Sequence, residues 1–155
     1  MINVLFVCLG NICRSPMAEA LFRDLVKREN LSNKIAVDSA ATGSWHVGAP
    51  PHKGTLDILK KYKISSEGLV GRQLTKSDFE KFDYIIGMDA SNTENIYQIT
   101  GKPHHPKIMR LLDLTENKID VPDPYYTGDF EETYRLVSDG CQALLEKIRV
   151  EQNIN

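Results

Sequence analysis

The chain has few cysteines, no long apolar run and little net charge, and each absence excludes a class of protein. The only cysteines among its 155 residues are Cys8, Cys13 and Cys141. With no CxxC pair, they predict neither a disulfide framework nor a zinc site, and they indicate a reducing, cytoplasmic setting. No apolar run approaches the roughly 20 residues of a membrane span. A net charge of -2 without a basic face argues against nucleic-acid binding.

What the chain does contain is the composition and patterning of one globular domain, which we place at residues 1–155. Apolar residues make up 41% and charged residues 26%, as is usual for soluble proteins. The first seven residues lack a basic start and predict a strand, not a signal peptide. Strands are predicted at 3–7, 35–38, 84–88 and 107–112, and helices at 16–28, 53–62 and onward from 129. This alternation predicts an α/β domain with a mainly parallel sheet covered on both faces.

Two helix starts carry capping signals. Ser15 is predicted as the N-cap of the first helix, with Pro16 at its first position. Asp129 and Glu132 have the spacing of a capping box ahead of the last helix. In a parallel sheet the ligand site lies beyond the carboxyl ends of the strands, and Cys8 lies just past the end of the first one.

The segment from Cys8 to Ser15 joins the first strand to the first helix, which is a favourable place for an anion. Backbone N–H groups turned inward at a helix N-terminus form a concave nest, and the helix dipole adds positive potential. Gly10 permits the tight backbone path. Arg14 can donate a bidentate pair of hydrogen bonds to phosphate, and the same field stabilises a thiolate at Cys8. The loop therefore predicts both a phosphate cradle and a nucleophile.

A thiolate beneath a bound phosphate can attack phosphorus in line, while Arg14 and the loop amides stabilise the equatorial oxygens. This chemistry calls for no metal or other cofactor. An acid must protonate the leaving oxygen, and a base must later activate water. Asp123 is the candidate for both roles, because Pro122 and Pro124 stiffen the loop that carries it.

Four segments resemble the low-molecular-weight protein tyrosine phosphatases, in their bacterial form. They are VCLGNICRSP at 7–16, DSAAT at 38–42, FDYIIGMD at 82–89 and VPDPYY at 121–126. The resemblance implies a single α/β domain, with a four-stranded parallel sheet flanked by helices on both faces and the phosphate loop between the first strand and helix. It also implies metal-independent hydrolysis of phosphotyrosine in proteins, and binding of phosphate, sulfate or vanadate-like oxyanions.

The same resemblance assigns roles to individual residues. Cys8, Arg14 and Asp123 are catalytic. Asn11 and Ser39 belong to a hydrogen-bond network that holds the loop, Asp89 orients Arg14, and Ser15 donates to the Cys8 sulfur. Trp45 and His46 are candidates for specificity. The substrate-binding set is Leu9, Gly10, Asn11, Ile12, Cys13, Ser15, Trp45, Tyr125 and Tyr126.

The other two cysteines are given different roles. Cys13 lies within the loop, where a second thiol can capture an oxidised Cys8 as a disulfide before oxidation becomes irreversible. Cys141 falls on the apolar stripe of the last helix and is predicted to be core.

Three alternatives remain open. Protein arginine phosphatases share the loop but have threonine at the position of Ile12 and lack the paired tyrosines. Thioredoxin-coupled arsenate reductases use two further cysteines downstream, where this chain has only Cys141. A non-catalytic phosphate-binding module would need no Asp123.

Overall fold

Four parallel strands form one sheet in the order β2-β1-β3-β4. The computed structural model describes all 155 residues. The strands are β1 (Ile2–Cys8), β2 (Ile35–Ala41), β3 (Tyr84–Gly87) and β4 (Ile108–Arg110). The helices are α1 (Arg14–Arg28), α2 (Lys53–Lys61), α3 (Asp78–Lys81), α4 (Ala90–Thr100), α5 (Pro124–Thr127) and α6 (Phe130–Gln152), with a 3-10 turn at Leu111–Leu114.

Strand β1 is central and sets the position of the site. It pairs with β2 from Ile2 to Cys8 and with β3 from Val4 to Val7. The chain passes from β1 to β2 on one side and later returns to form β3 on the other. A reversal of this kind opens a crevice beyond the carboxyl ends of the strands, where α/β proteins bind ligands. The predicted phosphate loop leaves β1 at this crevice.

The sheet has a hydrophobic core on each face. Val4 and Phe6 of β1 belong to the larger cluster, which includes buried residues of α1, α2 and α6. Leu5 and Val7 belong to the smaller one, with Phe79 of α3 and Ile96 of α4. Successive side chains of a strand point to opposite faces, so a strand covered on both sides shows no polar alternation. The predicted parallel sheet with both faces covered is confirmed.

The predicted N-cap at Ser15 is wrong. Helix α1 begins at Arg14, and its N-cap is Cys13, which makes no side-chain capping bond. Ser15 lies within the first turn, and its hydroxyl is 3.1 Å from the Cys8 sulfur. Pro16 is therefore the third helical residue, where its missing N–H costs nothing because first-turn N–H groups lack helical partners.

Three further details differ from the sequence prediction. The fourth strand keeps only the middle of residues 107–112, since the chain tightens into the 3-10 turn after Arg110. The loop predicted around Asp123 contains a short helix, α5, with Asp123 as its N-cap. Asp129 caps α6 by accepting from the Glu132 N–H at 2.9 Å. Its own N–H donates to the Thr127 hydroxyl instead of Glu132, so only half of the capping box forms.

None of the helices has the length and apolar character of a membrane span.

Candidate active site

The phosphate loop wraps around the Cys8 sulfur at the end of β1. The Asn11 N–H donates to this sulfur at 3.3 Å, and the Ser15 hydroxyl lies 3.1 Å from it. A Cβ atom on Gly10 would come within 3.2 Å of His46, so glycine suits this close approach. The sulfur is thus held by the loop that is predicted to bind phosphate.

Arg14 is the buried cation of the site, with only 2% of its surface exposed. Its Nη1 donates to Asp89 at 2.6 Å and to the Val121 carbonyl at 2.9 Å. Its Nη2 lies 3.5 Å from an Asp123 oxygen. Burial alone would lower the pKa of Arg14, but the charges at Cys8, Asp89 and Asp123 raise it above its ordinary value. The Nε–H is buried and has no partner, which leaves a strong donor available to an oxyanion.

Asp89 uses its two oxygens for different purposes. One accepts from Arg14, and the other accepts from the Asn92 N–H at 2.7 Å to cap α4. The Asn92 Oδ1 in turn accepts from the Asp89 N–H at 3.1 Å, which completes a capping box. The guanidinium of Arg14 is therefore aligned by a carboxylate that is itself fixed at a helix end.

Asn11 is the hub of a buried hydrogen-bond network. Its backbone has a φ of +57°, in the left-handed region. Its Oδ1 accepts from the Arg72 N–H, so its Nδ2 is the donor to both Ser15 and Ser39, at 2.7 and 2.9 Å. Each of these serine hydroxyls accepts from Asn11 and can therefore donate its own hydrogen bond to another group. Ser39 donates to Glu19 at 2.6 Å, and by the same argument Ser15 donates towards the Cys8 sulfur.

Glu19 and Arg72 were missed by sequence reasoning. Glu19 is buried on α1, one turn after Ser15, and burial raises its pKa to about 7 although the Ser39 hydrogen bond opposes this shift. The sequence feature that could have identified Glu19 is a carboxylate on the apolar face of this helix. Arg72 forms ion pairs with Asp38 at 2.9 Å and Asp78 at 3.0 Å. These pairs hold the loop whose backbone N–H reaches Asn11, and no local pattern marks this contact.

Asp123 faces Arg14 from the start of α5. Its Oδ1 accepts from the Tyr125 N–H at 3.1 Å, while its Oδ2 is the oxygen near Arg14. The preceding segment is anchored by Asp120, which accepts from the Ala90 N–H and from Arg110. Of the two Asp123 carboxyl oxygens, one therefore caps α5 and the other points towards the Arg14 guanidinium.

A cavity of about 340 Å³ opens above the loop, and we call it the slot. It has aromatic side chains at its rim: Trp45 is 70% exposed, Tyr125 56% and Tyr126 77%. Its lining consists of Cys8, Leu9, Gly10, Ile12, Cys13, Trp45, His46, Asp123, Tyr125 and Tyr126. Of the residues predicted to bind substrate, Asn11 and Ser15 are outside this lining, because their side chains are turned into the network. Ser39 and Asp89, predicted as supporting residues, and Arg14, predicted as catalytic, are also outside it.

His52 supports the slot and was also missed. Its N–H donates to the Ile12 carbonyl at 2.7 Å, and its Nδ1 caps α2 by accepting from the Gly54 N–H. The imidazole packs between Tyr125 and Phe130, with ring centroids 6.0 and 5.1 Å away. It thus connects the phosphate loop with one aromatic wall.

The two remaining cysteines have different surroundings. Cys13 is buried and lines the slot with Cys8. Burial, with the charges at Cys8 and Asp123, raises the pKa of Cys13 to about 12, so its sulfur is a thiol near neutral pH. Cys141 belongs to the larger core, which confirms its predicted place, and burial raises its pKa as well. No three His, Cys, Asp or Glu side chains are grouped so as to hold a metal ion.

Known proteins resemble this chain along nearly its whole length. The family model for low molecular weight phosphotyrosine protein phosphatase matches residues 3–153. Low molecular weight protein-tyrosine-phosphatase YfkJ of Bacillus subtilis is 52% identical over 99% of this chain and 100% of the relative. Its crystal structure has a TM-score of 0.94 at 53% identity, covering 97% of this chain and 96% of that one.

Two more distant relatives differ in their described activity. Low molecular weight protein-tyrosine-phosphatase PtpA of Staphylococcus saprophyticus is 46% identical over 99% of this chain and 98% of its own. DARP, described as the Drosophila arginine phosphatase, has a TM-score of 0.85 at 33% identity, covering 96% of this chain and 98% of its own.

Proposed function

This chain belongs to the low molecular weight phosphotyrosine protein phosphatase family and is a protein-tyrosine-phosphatase, and we propose that it works through a phosphocysteine intermediate on Cys8. Its substrates are tyrosine-phosphorylated proteins. The observation that carries this proposal is Arg14, a buried guanidinium with one donor unpartnered beside a loop-held sulfur. A buried donor without a partner is costly, and a phosphate oxygen would satisfy it.

In the first step the phosphate binds in the loop, with its oxygens on the backbone N–H groups and on Arg14. Phosphate, sulfate and vanadate-like oxyanions would bind in the same way. Asp89 keeps the guanidinium plane in position for this contact. The Cys8 thiolate then attacks phosphorus in line as the bond to the tyrosine oxygen breaks. Asp123 transfers its proton to that oxygen, so tyrosine leaves as a neutral phenol.

The second step returns the enzyme to its starting state. The Asp123 carboxylate takes a proton from a water molecule, whose oxygen attacks the phosphocysteine. The sulfur–phosphorus bond breaks, phosphate leaves, and Cys8 is again a thiolate. The loop donors stabilise the transferring group in both steps because the charge stays on its equatorial oxygens.

Protein arginine phosphatase is the second candidate, favoured by the likeness to DARP. The aromatic rim of Trp45, Tyr125 and Tyr126 supports phosphotyrosine, since flat rings suit an aromatic leaving group. Arsenate reduction has less support, because Cys141 is buried between α1 and α6, with its sulfur 4.0 Å from the Ala18 carbonyl. A thiol in that position would not reach an intermediate on Cys8 without unpacking the core.

The test is to compare kcat/KM for three peptides of one sequence that carry phosphotyrosine, phosphoarginine or phosphoserine. We expect phosphotyrosine to be hydrolysed fastest, and a higher value for phosphoarginine would favour the second candidate. The assay also runs with and without EDTA. A loss of activity that added metal restores would overturn the proposed metal-independent chemistry.

Two finer proposals follow from the cysteines. Peroxide would oxidise the Cys8 thiolate to a sulfenic acid, which the Cys13 thiol would attack to form a disulfide and release water. The position of both cysteines in the lining of one slot supports this protection. Three free cysteines in 155 residues also support a reducing, cytoplasmic location.

A further inference from the structure

A second groove lies behind the indole of Trp45, and we call it the flanking groove. Its volume is about 270 Å³, close to that of the slot. Leu9 and Trp45 line both cavities. The Trp45 indole therefore borders both cavities, and we call it the partition between them.

The partition is positioned by the residues before it. The Thr42 N–H donates to the Cys8 carbonyl at 3.0 Å, and the Gly43 N–H donates to the Leu9 carbonyl at 2.9 Å. These bonds fix the start of the segment to the phosphate loop itself. A Cβ atom on Gly43 would overlap the six-membered ring of Trp45, so the indole lies flat on this glycine. The flanking groove therefore has a fixed position relative to the site of phosphate binding.

The lining of the flanking groove is free of charged side chains but has polar groups. Helix α4 contributes Asn95, which is half-buried, and Gln98, which is exposed. Thr42 also lines the groove, although its hydroxyl is buried. The side-chain amides can both donate and accept, which suits a peptide main chain or a neutral polar side chain.

We propose that the flanking groove binds the residue next to phosphotyrosine in a protein substrate, and that it selects neutral residues there. This proposal rests on the proposed function. A phosphotyrosine whose ring fills the slot must carry its peptide chain out across the rim, and the groove is continuous with that rim through Trp45. Selection follows because a charged side chain would lose water in the groove without gaining a charged partner.

The test introduces a charge and asks whether substrate preference follows it. Asn95→Lys adds one positive charge within the groove, and Gln98→Lys does so at an exposed position where folding is not at risk. Glu146→Gln is the matched control, since it changes net charge by the same amount at an exposed position of α6, which covers the opposite face of the sheet from α4. The substrates are phosphotyrosine peptides with Asp or Asn immediately before or immediately after the phosphotyrosine.

The readout is the ratio of kcat/KM for the Asp peptide to that for the Asn peptide. In wild type we expect a ratio below one. Each lysine variant should raise it roughly twofold to fivefold, the effect of an exposed ion pair, at one of the two flanking positions. The control should leave it at the wild-type value, because its charge lies across the sheet from the groove and salt screens exposed charges beyond about 8 Å.

Three outcomes decide the matter. A rise in the lysine variants alone supports the flanking groove, and the responding position shows which neighbour occupies it. No rise, or an equal rise in the control, overturns the groove while hydrolysis of the peptides leaves the proposed function standing. If wild type hydrolyses no phosphotyrosine peptide, the proposed function fails and the groove proposal fails with it.

Discussion

The buried network around Asn11 and the aromatic rim of the slot lie on opposite sides of the same phosphate loop, yet they are held in different ways. Asn11 is 2% exposed and is hydrogen-bonded through its backbone and both ends of its side chain. Trp45 and Tyr126 are mostly exposed. Tyr126 contacts Tyr125 edge-on at 5.3 Å between ring centroids.

The difference separates two requirements of a phosphatase. Buried polar groups must satisfy one another, so a change at one of them disturbs the whole network. Exposed rings contribute contact area to a ligand but little to folding. We therefore expect variants near the sulfur to alter chemistry or stability, and variants at the rim to alter only the choice of substrate.

The largest effect is expected for Cys8→Ser. A hydroxyl does not replace the thiolate as nucleophile without a strong base beside it, so turnover of any aryl phosphate should be abolished. The loop and Arg14 remain, so vanadate or phosphate should still bind, as measured by calorimetry. Turnover at the wild-type rate would refute a phosphocysteine intermediate. A loss of oxyanion binding would mean that the variant is misfolded.

Asp123→Asn should produce the next largest effect. The amide oxygen can still cap α5, but the side chain no longer carries a proton to give, so hydrolysis should slow by roughly 10² to 10⁴ for poor leaving groups. The loss should shrink as the leaving phenol becomes more acidic. Rates for a series of aryl phosphates, plotted against the leaving-group pKa, test this. Parallel lines for wild type and variant would show that another residue is the acid.

Glu19→Gln tests the buried side of the comparison through stability. Because the pKa of Glu19 is raised to about 7 in the folded state, the folded chain binds its proton more tightly than the unfolded chain. The free energy of unfolding should therefore fall as pH rises from about 4.5 to 7, by roughly 3 kcal/mol at most. The variant lacks this titration, and its amide oxygen can still accept from Ser39.

Urea unfolding of both proteins between pH 4.5 and 8 provides the measurement. The variant should gain stability relative to wild type across this window, with the full gain present above pH 7. Glu94→Gln, at an exposed position, should change the free energy of unfolding by no more than about 0.5 kcal/mol. A constant difference between Glu19→Gln and wild type would mean that Glu19 does not titrate in this window.

The parts that sequence reasoning predicted best are local in the chain. The first strand, the loop and the first helix are contiguous, so the run of apolar residues, Gly10 and Pro16 all bear on one short segment. The predicted N-cap was wrong because the Ser15 hydroxyl hydrogen-bonds with the Cys8 sulfur and does not cap the helix. That preference depends on the loop closing, which no propensity scale describes.

The parts that were missed depend on distant pairs. Arg72 reaches Asn11 across 61 positions of sequence, and His52 packs on Tyr125 of α5, which is also distant in the chain. Trp45, Tyr125 and Tyr126 could be named beforehand only through the family resemblance, since exposed aromatic residues leave no periodic pattern. Sequence therefore predicts the strand–loop–helix unit, and the tertiary fold decides which groups support it.

The smallest effect is expected for Tyr126→Ala, at the most exposed position of the rim. Loss of one ring should lower kcat/KM for a phosphotyrosine peptide by about two- to tenfold, which corresponds to an aromatic contact of about 0.5–1.5 kcal/mol. Hydrolysis of the matched phosphoserine peptide should hardly change, because its leaving group has no ring to stack, so selectivity falls. Tyr126→Phe keeps the ring and should retain wild-type selectivity, and both variants should unfold at the wild-type urea concentration. A large loss of stability in Tyr126→Ala would show that the rim supports the fold, and the contrast with the buried network would not hold.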